Sequence, residues 1–133
     1  MSNSPAQVST PWPRLLRNAA IVFCGGTIGV ALRFALTALV PIESMWTTLA
    51  INLVGAFALG VLTAIALRRG TERLRLLLGT GLLGGFTTYS ALAFDVSVLA
   101  ASGNWLWLVL AAASLVGGFA AAFAGWMLGG AER

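Results

Sequence analysis

The sequence has no histidine, no lysine, a single cysteine and very little charge of either sign. Without histidine, and with Cys24 alone, it can build neither a disulfide framework nor the usual His/Cys metal centre. No nucleophile–base pair, metal cluster or phosphate-binding loop is present, which excludes the common kinds of enzyme. Charged residues make up 9% of the chain, against about a quarter in a soluble domain. What fills the space is apolar: 59% of the 133 residues are hydrophobic and the mean hydropathy is +0.91. The chain is an integral membrane protein. At about 20 residues per spanning helix, its length allows four spans and no soluble domain. Four thin helices enclose little interior, so self-association is expected.

All eight cations are arginine, giving a net charge of +4 and a pI near 11.2. In a soluble protein this balance would suggest nucleic acid. Here the arginines flank apolar runs, which is a topology signal and implies no nucleic-acid partner. Residues 1–16, with Pro5, Pro11 and Pro13, read as a disordered arm. Arg14 and Arg17 before an apolar run raise the possibility of a signal peptide, but the run continues to Val40 without a small-residue cleavage site. A retained helix is expected. The four spans are predicted at about Asn18–Val40, Trp46–Leu67, Leu76–Ala100 and Trp105–Leu128. Pro41 ends the first, the membrane domain covers residues 17–128, and 129–133 form a short tail. Arg14, Arg17, Arg68, Arg69, Arg73, Arg75 and Arg133 then share one side, and the opposite loops carry no positive residue. The positive-inside rule places both termini in the cytoplasm, with the protein in the cell inner (plasma) membrane.

The stretch Gly79-Thr80-Gly81-Leu82-Leu83-Gly84-Gly85-Phe86-Thr87-Thr88-Tyr89-Ser90 is poor material for an unbroken helix. Within hydrocarbon, non-helical backbone survives only where protein or a water-filled cavity satisfies it. A glycine-rich interruption of this kind points to an ion or substrate site, or to close helix packing. Gly25 and Gly29 form a small-xxx-small packing face in the first span. Arg33 lies on the same span, roughly 10 Å from its outer end at 1.5 Å per residue. It could pair with Asp95 at similar depth, snorkel separately, or gather anions in a vestibule. In the second span, Asn52 carries two N–H donors and a carbonyl one turn from Thr48. It could serve a ligand or bond a neighbouring helix. Ser114 could do either, and lone serines in such helices commonly bond their own backbone.

Taken in order, Gly25-Gly26-x-x-Gly29-x-x-x-Arg33, Asn52-x-x-Gly55-x-Phe57-x-x-Gly60 and Gly84-Gly85-Phe86-Thr87-Thr88-Tyr89-Ser90 resemble three motifs of the CrcB/Fluc fluoride channels. The resemblance covers the chain from about Arg17 to Leu128. It implies an all-α membrane fold of four helices, the third broken, assembled as an antiparallel dimer with two fluoride pores. It also implies a structural Na+ held by the backbone carbonyls of Gly84 and Thr87 in each subunit. Asn52 matches the family's pore asparagine, and Thr48, Ser90 and Ser114 fall along its polar track. Fluoride is small and strongly hydrated, so a selective pore must replace its water with close donors while its width rejects chloride.

Two departures stand out. The family lines its path with two phenylalanines whose positive ring edges approach the anion. Tyr89 stands at the first of these positions and Leu92 at the second, with Ala91 and Gly118 where hydroxyls are usual. The arginine bias is the other, because an antiparallel homodimer needs one sequence to insert both ways. A heterodimer with an oppositely biased homologue is therefore expected beside the homodimer. The rivals are a non-conducting membrane scaffold and a small multidrug exporter. The exporter would need an embedded carboxylate in the first span, where this chain has Arg33.

Overall fold

The computed structural model describes residues 12–39, 44–70 and 72–130. Residues 1–11, Pro41 and the last three residues, on which part of the sequence reading bears, lie outside them. Helix α1 is Trp12–Leu39 and α2 is Ser44–Arg69. Next comes α3 (72–86), a composite: a helical turn at Glu72–Leu74, a π-helical stretch at Arg75–Leu83, and a second turn at Gly84–Phe86. Thr87 and Thr88 are extended, and α4 (Tyr89–Ala101) and α5 (Leu106–Gly130) follow. Among the described residues there is no strand. Four segments are long and apolar enough to cross a membrane, counting 72–101 as one.

Helix α1 starts at Trp12, earlier than the expected arm allowed. Proline favours this position: Pro13 lies in the first turn, where its missing N–H has no intrahelical partner to lose. At the other boundary the loop after α2 is short because Gly70 adopts φ +62, a left-handed geometry open to glycine, and turns the chain at once.

The bundle consists of two close helix pairs, α1 with α3 and α2 with α5, while α1 and α2 barely touch. Glycine sets both contacts. A Cβ on Gly25 would run into the carbonyl oxygen of Leu77, and one on Gly29 into that of Leu82. In the second pair, a Cβ on Gly60 would meet the Ala122 carbonyl, and one on Gly125 that of Phe57. Membrane helices gain little from the hydrophobic effect when they associate, so such backbone proximity supplies the van der Waals contact that holds them. The exterior is correspondingly greasy. Phe23, Phe34, Leu115 and Phe119 are each more than 70% exposed, as lipid-facing side chains are.

The third span crosses between the pairs. Its first part packs on α1, and beyond Thr87 and Thr88 α4 packs on α5 and α2. The change of direction falls two residues past the glycine pair. Gly84 itself is helical, with φ −65 and ψ −36, whereas Thr87 has φ −78, ψ 156 and Thr88 φ −147, ψ 122. The glycines serve packing: a Cβ on Gly85 would strike the carbonyl oxygen of Gly26 on α1.

Candidate functional site

Two extended residues inside a membrane span leave backbone groups that must find partners. The principal partner comes from α2. The Asn52 side chain donates through Nδ2 to the Thr88 carbonyl at 2.8 Å and accepts the Thr88 N–H on Oδ1 at 2.8 Å. Its amide pairs with the Thr88 peptide as one strand pairs with another. One of its two N–H donors is thereby used and one is left over. Gly55, one turn on, makes the room, since a Cβ there would collide with the Thr87 methyl.

The hydroxyls are also engaged. Thr88 Oγ1 accepts the Ala91 N–H at 3.3 Å, capping α4, and lies 3.2 Å from Ser90 Oγ. Thr87 Oγ1 donates to the Leu83 carbonyl at 2.9 Å, and Ser114 Oγ donates to the Leu110 carbonyl at 2.7 Å.

This exchange of partners has a definite consequence for two carbonyls. In a continuous helix the Thr88 N–H would bond the Gly84 oxygen, and the Ala91 N–H the Thr87 oxygen. Here the first N–H goes to Asn52 Oδ1 and the second to Thr88 Oγ1. The oxygens of Gly84 and Thr87 have lost their helical donors, so both are available to a hard cation, whose preferred ligands are oxygens.

An open groove of ≈ 840 Å³ runs along this flank and brings together Asn52, Gly84, Thr87, Tyr89, Leu92 and Ser114. Tyr89 is 82% exposed at its edge. Thr48 and Arg33 are elsewhere. They line a smaller pocket of ≈ 210 Å³ with Thr37, and Thr88 lines both spaces, so the two adjoin at the break. Ser90 and Asp95 line neither. The pairing considered for Arg33 and Asp95 is not formed: the one ion pair among the described residues is Arg14–Glu72 at 3.3 Å. Arg33 Nε and Asp95 Oδ2 are instead buried without a partner there. Each sits on a different helix pair, α1 and α4, which the break holds apart.

Sequence reasoning quoted Thr88 within the motif but gave it no role, although a threonine three residues before Ala91 at a suspected break is an N-cap signal. It likewise did not count Thr63, Thr80 or Arg75 as site candidates, although they line the same groove. Thr80 was legible, because it lies seven residues before Thr87 and so on the same helical face.

Fold and groove together define a small polytopic membrane protein whose polar groups gather where one span changes direction. The family model for CrcB-like protein, Camphor Resistance (CrcB), matches residues 20–126. Fluoride-specific ion channel FluC 2 of Leifsonia xyli subsp. xyli is 44% identical over 123 residues, covering 86% of this chain and 85% of its own. Fluoride-specific ion channel FluC of Agrobacterium fabrum is 42% identical over 123 residues, covering 84% and 95%. Fluoride-specific ion channel FluC 1 of Cutibacterium acnes is 45% identical over 95 residues, which is 66% of that relative. The chain belongs to the CrcB-like family.

Proposed function

We propose that the protein is a fluoride-specific channel subunit that lets fluoride leave the cytoplasm passively and so lowers its toxicity. The observation that carries this reading is the Asn52–Thr88 pair. It anchors an opened span and leaves a spare amide N–H at a groove edged by Tyr89. The relatives' names supply the anion. The donors facing it would be that N–H, the Tyr89 hydroxyl and, in the adjoining pocket, Thr48, with Ser90 beside Thr88. The hydroxyls of Ser114 and Thr87 would have to release the carbonyls of Leu110 and Leu83 before donating to fluoride. Leu92 supplies width without a quadrupole. Arg33, whose Nε has no partner among the described residues and which lines a pocket with Thr48, fits an anion-gathering vestibule.

A groove open along one flank needs a second wall, and an antiparallel partner subunit in the inner membrane would provide it. At that interface Na+ would be held by the Gly84 and Thr87 carbonyls, whose lost helical donors support the assignment. Bound there, the ion would supply fixed positive charge to the carbonyls of Gly84 and Thr87. The arginine bias puts the termini in the cytoplasm and favours an oppositely biased homologue as the partner.

The test is fluoride efflux from liposomes, read with a fluoride electrode in sodium buffer. Efflux without chloride leak from this protein alone establishes a homodimeric channel. Efflux only after co-expression with an oppositely biased homologue establishes the heterodimer. Silence in both sinks the channel reading in favour of a membrane scaffold.

A further inference from the structure

A second groove, remote from Asn52, opens between α1 and α3 at the arginine-rich end of the bundle. It measures ≈ 1070 Å³. Its α1 wall presents Arg14, Arg17, Ile21 and Cys24, and its α3 wall Arg73 and Leu77. Residues at i, i+3 and i+7 share a helical face, so Arg14, Arg17, Ile21 and Cys24 form one stripe that passes from cationic to apolar. From Arg14 to Cys24 it runs roughly 15 Å at 1.5 Å per residue. The opposite wall makes the same change within one turn. Glu72 occupies one cation by its ion pair with Arg14, leaving Arg17 and Arg73 facing the groove without a carboxylate partner among the described residues.

Two cations above an apolar trough, open sideways to the bilayer, match an amphiphile with an anionic head and an acyl tail. A basic pocket between membrane helices on the cytoplasmic side binds anionic lipid head groups for this reason. We propose that the α1–α3 groove is a binding site for an anionic glycerophospholipid, its phosphate between Arg17 and Arg73 and an acyl chain along Ile21, Cys24 and Leu77.

Cys24, the chain's only thiol, is exposed in this trough and reports on it directly. The experiment follows maleimide alkylation of Cys24 on the full chain in detergent with added phosphatidylglycerol, phosphatidylcholine or inorganic phosphate. Phosphatidylglycerol is expected to slow alkylation several-fold, with the other two close to detergent alone. The Arg17→Gln/Arg73→Gln variant should lose the protection, while Arg17→Lys/Arg73→Lys and the remote Arg68→Gln/Arg69→Gln should keep it. Equal protection by phosphatidylcholine would show acyl filling without head-group recognition and overturn the proposal. So would protection by phosphate alone, or unchanged protection in Arg17→Gln/Arg73→Gln with its elution profile intact. None of these outcomes depends on fluoride transport.

Discussion

Asn52 and Thr88, thirty-six residues apart, exchange two hydrogen bonds of 2.8 Å through a side-chain amide and a main-chain peptide. The pair turns an unfavourable feature, extended backbone within a membrane span, into a fixed crossing point between two helix pairs.

Removing one side of it leaves the other exposed. Asn52→Ala strips partners from a part-buried N–H and C=O, at a cost of about 1–3 kcal/mol. Asn52→Asp keeps the acceptor for the Thr88 N–H but sets an oxygen against the Thr88 carbonyl. Both variants should melt lower than wild type in detergent and lose fluoride efflux. A variant of either kind with wild-type melting would disprove the anchoring role.

The α1–α3 contact gives a sharper comparison, because three neighbouring glycines differ in what surrounds them. A Cβ at Gly25 or Gly29 meets a carbonyl oxygen, whereas at Gly26 the nearest atom is the Gly81 oxygen at 3.8 Å. Gly25→Ala and Gly29→Ala should each destabilise by about 1–3 kcal/mol, as overpacking does. Gly26→Ala should leave thermal stability nearly unchanged. Equal effects at all three positions would refute backbone proximity as the reason for these glycines.

Much of this was legible in the sequence, and the parts that were not share a cause. Four spans follow from composition and length, and the Gly25/Gly29 face follows from spacing. The opening followed only in part: glycine's low helix propensity marks Gly84-Gly85 and the family motif adds Thr87, whereas packing against α1 keeps the glycine pair helical. The opening falls instead at Thr87 and Thr88, where a side chain from another helix substitutes for the lost ladder. Nor does sequence depth decide pairing. Arg33 and Asp95 stand at similar predicted depths, yet α1 and α4 belong to opposite sides of the crossing, and they do not meet in one protomer.

Tyr89 and Leu92 line one groove one turn apart, and only the first is aromatic. If ring edges stabilise the passing anion, Leu92→Phe restores a second positive ring edge and should raise efflux. Tyr89→Phe should retain efflux and Tyr89→Leu should reduce it. Faster efflux in Tyr89→Leu would rule out the edge-on role.

The proposed sodium would be held by carbonyls rather than side chains, so it is better tested by exchange of buffer than by mutation. A cation that binds only the folded dimer stabilises it by about 2.7 kcal/mol at a hundred times its Kd. Melting should therefore rise with NaCl and stay flat with equal N-methylglucamine chloride. Thr88→Ala removes the Oγ1 that caps the Ala91 N–H at the start of α4, loosening the backbone that presents the Thr87 carbonyl, and should weaken the sodium response. Identical melting in both salts would eliminate the structural ion.

The arginine distribution makes the last prediction, and it concerns assembly. Arg14, Arg17, Arg68, Arg69, Arg73 and Arg75 flank the spans at one end, while Arg33 lies within the first span towards the other. Loop arginines near span ends set orientation, so a subunit this biased should insert one way only. Antiparallel pairing would then require a homologue with the opposite bias. A Gly130→Cys reporter in a Cys24→Ser background should be labelled solely from the cytoplasmic side when the protein is expressed alone. Labelling from both sides in equal measure would mean that one sequence supplies both orientations, and a homodimer would suffice. With one-sided labelling, the degraded aromatic pair has a physical explanation: pores drawn from two different subunits can take their ring edges from the partner.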